Sequence, residues 1–308
     1  MFTRTAGVPP TVELVNLTPV SCPSATLTVW TSAWLAGAAA PDDVLDALGP
    51  WAEAHDVQAV DTATSEATLL PPPGEPVSSV AFLLAALRRS VGGRGATGPA
   101  RLVLPVPGDV RGLPGPGAFS REATSAGEGV FYVDAGLGVV PAKVADGVLR
   151  WTVFQVPKPG PAPEFIALGH AERELRDQVQ QSASVLTSLG LARHRPGVRE
   201  EIAAALRARP RSMWPDGMPG QALRVLQHAD EVEAILAAAS CDDPGGSLPD
   251  LALSESSLPA TSLSESSLPA TAASARSDAL RPIETAVRVA RRAAVAEAVR
   301  VLAASLIG

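Results

Sequence analysis

Residues 12–17 (VELVNL) alternate apolar with polar positions around β-branched valines, which predicts a first strand. A helix is expected to follow over 25–38. Pro41 at a first-turn position, Asp42 and Asp43 behind it, and a stripe of Val44, Leu45, Leu48 and Trp51 predict a second helix ending near His55. Short strands are expected at 57–61 (VQAVD) and 67–70 (ATLL), before the PPPG at 71–74 stops anything helical. Ser78 or Ser79 then caps a helix through Phe82, Leu83, Leu84 and Leu87, which the Gly92–Gly93 pair closes. This order of elements is that of a mixed α/β sheet.

From Arg101 the pattern turns to period two. RLVLPVP (101–107) reads as a strand, and the following stretch to residue 156 shows no helical periodicity. Residues 130–134, 139–144 and 148–156 read as three further strands. Between the last two, Ala145, Asp146 and Gly147 supply a hairpin turn, with Gly at the position that needs positive φ. PKPGPAP (157–163) is a stiff linker, and a domain boundary is expected there.

Past the linker the apolar period becomes 3.6. Leu168, Leu175, Val179, Leu186 and Leu189 share one side of a helix over 164–190, and similar stripes run through 197–209, 220–239 and 278–306. Four amphipathic helices can cover one another as a bundle. Between the third and fourth lies a Ser/Pro-rich segment, 240–276, that contains a tandem repeat, LSESSLPAT at 253–261 and again at 263–271. With no wide apolar face, it is expected to be a disordered insert. The predicted fold class is therefore α+β: a mixed α/β sheet domain over 1–156, followed by a helical bundle formed by 164–239 and 277–308.

Composition narrows the function classes. The net charge of −7 lacks the basic excess of a protein that coats nucleic acid or an anionic bilayer. Residues 14–41 carry no charge, but Asn16, Pro19 and Pro23 leave the run short of the roughly 20 apolar positions of a membrane span. A buried helix and no membrane contact are expected. The two cysteines, Cys22 and Cys241, are too few and too far apart for a zinc module or a disulfide framework, and point to a reducing, cytoplasmic compartment. Only Lys143 and Lys158 are lysines, so the many arginines reflect codon bias before function.

No chemical motif dominates. The Gly/Pro-rich strip 105–129 matches neither a P-loop nor a dinucleotide fingerprint, so no cofactor is expected. If the chain is an enzyme, that strip is where a small-molecule site belongs: Arg111 would hold an anionic substrate, and Asp109 and Glu128 would do acid or base work. His170, Glu174 and Asp177 share a helix face without a second cluster to complete a metal site, and no metal is expected. Arg193, Arg195, Arg199, Arg207, Arg209 and Arg211 face only Glu200 and Glu201 within 193–211 and make the best anion or nucleic-acid contact. Met213, Trp214 and Met218 either plug the end of the bundle or anchor another protein. The function expected first is a non-catalytic one, an interaction or adaptor protein whose helical half engages another protein or itself; a small-molecule enzyme and a nucleic-acid binder are the alternatives.

Overall fold

The structure, a computed structural model, describes residues 22–75, 79–91, 100–156, 165–190, 197–208, 214–240 and 267–304. The strand expected at 12–17 and the linker at 157–163 lie outside the described residues.

Helix α1 (Pro23–Leu35) opens with proline at its first position and is buried from Pro23 to Trp34. Three of its hydroxyls are satisfied within the helix: those of Thr28, Thr31 and Ser32 donate to the carbonyls of Ser24, Leu27 and Thr28 at 2.6, 2.5 and 2.7 Å. Burial on every side explains the uncharged sequence. Cys22, Ala25, Val29 and Ala33 join one core, and Leu27, Trp30 and Trp34 join another.

Next come α2 (Pro41–Leu48), a short 3-10 turn at Gly49–Trp51 and β1 (Ala54–Ala59). The second helix is thus shorter than expected, and His55 belongs to the strand. The strand expected at 67–70 is not formed, because α3 (Thr62–Thr68) occupies its first half. Asp61 caps that helix by accepting the Thr64 N–H at 2.8 Å, and Leu69 closes it in a left-handed conformation with φ 55°. A run as short as ATLL fits helix and strand alike, and the Asp61 cap decides between them.

Helix α4 (Val80–Ser90) follows, then β2 (Ala100–Val103), α5 (Ala118–Ala126), β3 (Gly129–Tyr132), β4 (Leu137–Ala145) and β5 (Val148–Gln155). Helix α5 corrects the expectation of an unstructured 105–129 strip. It carries only Phe119 and Ala123 as buried apolar residues, too few to register as a period. The β4–β5 hairpin forms where expected, with Gly147 at φ 69°.

The sheet order is β1-β5-β4-β3-β2, with β1 parallel to β5 and every other pair antiparallel. Side chains alternate across it. Val130, Val139 and Val153 face the core beneath α1, α2 and α4, while Phe131, Val140 and Phe154 face Phe119 and Ala123 of α5. Gly138 lies under the Phe119 ring, where a Cβ would stand 2.3 Å from Cδ2, so no larger residue fits that strand position.

The C-terminal half holds α6 (Leu168–Ser188), α7 (Val198–Ala208), α8 (Gly220–Ser240) and α9 (Ser267–Ala304). Helix α9 starts within the second repeat copy, well before the expected start near Asp278, so the tail of the predicted disordered insert is helical; 241–266 lie outside the described residues. Helices α6 and α8 flank α9, and α7 rests on α8. Leu175, Leu226, Val287 and Leu302 form one core with the α1 residues named above and with Leu102 and Leu104 at the end of β2. The helical half therefore docks on the sheet through α1, which serves both cores. Sheet in the N-terminal half and helices beyond it make the chain α+β.

Candidate functional site

At the N-terminus of α1 the two halves line a half-open cavity of about 380 Å³, bordered by Cys22, Glu128, Glu233, Glu284, Arg288 and Arg291 with apolar walls from Leu104, Leu236 and Val287. Gly127, left-handed at φ 76°, ends α5 and turns the chain so that Glu128 reaches α1. Glu128 Oε2 accepts the Ser24 N–H at 2.9 Å, across 104 residues of sequence. An acidic group there also meets the positive end of the α1 dipole.

Across the cavity, the Arg291 side chain is buried, and its Nη2 donates to Asp230 Oδ1 at 2.6 Å and Glu233 Oε2 at 2.5 Å. Asp230 and Glu233 lie three apart on α8, which places both on the face toward α9. Burial works against the Arg291 charge, but Glu233, with Asp230, outweighs it and holds the guanidinium above its ordinary value. Arg288, one turn earlier, donates from Nη2 to Thr285 Oγ1 at 3.0 Å, and its Nε is buried with no partner. Glu284, spaced to pair with Arg288 along the helix, makes no ion pair with it.

Burial pushes the Glu128 carboxyl up to about 7, against the lowering effect of its Ser24 and Cys22 donors and of the Arg291 charge. The Cys22 thiol is raised well above its ordinary value, first by burial and then by Glu128, so it is a poor nucleophile. The Glu128 shift fixes a sign. A group whose carboxyl keeps its proton longer when folded contributes stability that is full below pH 4.5 and is lost as pH rises through about 7. Wild type is expected to lose about 3 kcal/mol relative to Glu128→Gln over that window, since each pKa unit is worth about 1.4 kcal/mol. Urea titrations of both proteins at a series of pH values check it, and parallel curves refute it.

Asp109 and Arg111 form a two-point fork, with Nε to Oδ1 and Nη2 to Oδ2 both at 2.8 Å, on a loop over α9. The Arg111 hydrogen bond is the main cause that holds Asp109 down to about 2. Gly112 of that loop lies directly on Arg292. Asp109 and Arg111 thus answer each other, and Glu128 belongs to the cavity; Arg288 lines that cavity and its charge also acts on Asp109. Arg199 and Arg207 are exposed on α7, with Arg207 Nε donating to the Ala203 carbonyl at 3.0 Å. Arg193, Arg195, Arg209, Arg211 and Met213 lie outside the described residues. Trp214 and Met218 pack half-buried on the helical core.

Of the cavity residues the sequence singles out Glu128 as a site candidate, and not Cys22, Glu233, Arg288 or Arg291. A usable signal existed. Glu233 sits in the apolar stripe of Leu226, Ala229 and Leu236, and Arg291 in that of Val287, Ala294 and Ala298, so opposite charges interrupt two buried faces. Among the described residues no group of three His, Cys, Asp or Glu is placed to hold a metal ion, and no helix is long and apolar enough to cross a membrane.

Residues 24–165 match the Rv1486c-like protein N-terminal domain and residues 169–258 the Rv1486c-like protein C-terminal domain. The uncharacterized protein Rv1486c of Mycobacterium tuberculosis (strain H37Rv) is 36% identical over 299 residues, covering 89% of this chain and 96% of that protein. The chain belongs to the Rv1486c-like family. Similar proteins from Mycobacterium leprae (ML1804) and Mycobacterium avium (MAV321) are each 32% identical, again over 89% of this chain and 96% of their own length. No solved structure matches. In this Rv1486c-like chain the cavity takes Leu104 and Glu128 from the first matched region and Glu233 from the second, while Arg288 and Arg291 come from α9 beyond both.

Proposed function

We propose that this chain is a non-catalytic cytoplasmic interaction protein whose helical half pairs with a second copy of itself through α7, with the exposed end of α6 as a further apolar surface. The observation that carries the reading is α7. It is 11 residues long and none of its described side chains is fully buried, so its apolar stripe of Val198, Ile202 and Leu206 is only half-covered by α8. A helix this short holds its shape through tertiary packing, and here one side of that packing is open. Val185 and Leu189 at the end of α6 are 38% and 52% exposed.

The charges on α7 favour a two-fold partner. Glu200 and Glu201 outnumber Arg199 in its first turn and Arg207 stands in its last, so an antiparallel copy brings the net acidic end against Arg207. The cytoplasmic assignment rests on cysteine usage, a total of two with Cys22 a buried free thiol. Size-exclusion chromatography with light scattering on the full chain tests the pairing. A mass of twice 31.5 kDa is expected, falling to the monomer in Ile202→Asp/Leu206→Asp with unchanged circular dichroism. A wild type that stays monomeric across the micromolar range overturns it.

A further inference from the structure

The cavity beneath the N-terminus of α1 is separate from the α7 face and does not depend on the pairing proposed above. At about 380 Å³ it is of a size that holds small molecules, which occupy pockets of roughly 300–1,000 Å³. Its charged residues divide into those already matched and those left open. Arg291 is matched, because Asp230 and Glu233 both take its Nη2. Arg288 is open: of its five guanidinium donors only one on Nη2 has an acceptor, Thr285 Oγ1, so donors remain for a ligand. Glu128 accepts the Ser24 N–H, and a carboxylate has room for further donors. Glu284 is exposed and lines the same cavity.

An open donor and open acceptors in one cavity select their ligand by charge. Above pH 7, where Glu128 is ionised, a simple anion on Arg288 would have Glu128 and Glu284 facing it, and a simple cation on those carboxylates would leave Arg288 unmatched beside a like charge. A molecule with both signs satisfies both. We propose that this cavity binds a small zwitterion of the amino-acid class, its carboxylate on Arg288 and its ammonium on Glu128 and Glu284, with Leu104, Leu236 and Val287 against its apolar part.

The pairing has a proton dependence. The groups facing Glu128 are Cys22, Glu233, Glu284, Arg288 and Arg291, and burial keeps Glu128 protonated up to about 7. An ammonium ligand needs the ionised form, so binding releases a proton and weakens as pH falls below that value.

The test is thermal unfolding of the full chain above pH 7 with L-amino acids, and with sodium acetate and methylammonium chloride as the two half-ligands. A saturable rise in Tm with at least one amino acid, exceeding that from either half-ligand at equal concentration, is the expected result. Arg288→Gln and Glu128→Gln are each expected to weaken it about tenfold or more while keeping the wild-type circular dichroism. Acetate acting as well as the amino acid would make this an anion site, methylammonium acting as well would make it a cation site, and either overturns the proposal. So does the absence of any shift, or a shift that survives both substitutions. Should a variant fail to fold, the half-ligand comparison on wild type decides alone.

Discussion

Arg291→Met is expected to destabilise the fold by about 3–5 kcal/mol, the usual cost of removing one partner from a buried ion pair. Methionine fills a comparable volume, so the loss is electrostatic in origin: Asp230 and Glu233 would lose the Arg291 charge at the α8–α9 seam. Glu233 carries more of the effect, since its side chain is 21% exposed against 42% for Asp230. Arg291→Lys is expected to recover only part, because a single ammonium on a shorter stem does not reach both acceptors in the same geometry. The informative control is the triple replacement of Asp230, Glu233 and Arg291 by apolar residues, which is expected to return close to wild-type stability. Urea midpoints for the single, conservative and triple variants check the series. A single variant as stable as wild type would show that water, not Arg291, solvates the two carboxylates.

Local features of this fold were legible wherever the decisive signal lay within a few residues. The β4–β5 hairpin follows from Gly147 between two valine-rich runs, and α6 and α8 follow from apolar stripes of 3.6 period. Helix α5 was not legible, because only Phe119 and Ala123 carry its apolar packing and glycines and prolines surround it. Nor was the parallel β1–β5 pair, whose register sets Val57 against Trp151. Nothing near Val57 anticipates a partner so far along the chain. Helix α1 is the intermediate case: its uncharged sequence announced burial, but only the packing shows that it serves two cores at once.

The cavity was half legible for the same reason. Glu128 is an acidic residue in a Gly-rich strip, whereas Arg288 and Arg291 are two of five arginines along 278–306. What separates them from Arg281 or Arg300 is position relative to an apolar stripe, since Arg291 is 5% exposed among alanines and valines that pack on α1 and α8. In a sequence whose genome favours arginine, the count of arginines says little and their phase on the helix says much.

Trp151→Ala is expected to cost about 3–5 kcal/mol, as for other large-to-small changes at fully buried aromatic positions. Trp151 is 0% exposed at the centre of β5, between β1 and β4. Its indole Nε1 donates to His55 Nδ1 at 3.1 Å, which leaves His55 Nε2 to donate to the Leu48 carbonyl at 2.9 Å. One neutral tautomer of His55 thus ties the end of α2 to the middle of the sheet. Trp151→Phe separates packing from this hydrogen bond: it keeps most of the ring volume but orphans Nδ1, for an expected loss of about 1–3 kcal/mol. Burial already lowers the His55 pKa, so its neutral form contributes stability that is present above pH 6.5 and is lost as pH falls. In Trp151→Phe a proton can take the vacant Nδ1 position, and the loss is therefore expected to shrink toward acid pH. Chemical denaturation followed by circular dichroism above and below pH 6.5 checks both parts. A loss in Trp151→Phe that is independent of pH would mean that His55 is held by the Leu48 carbonyl alone.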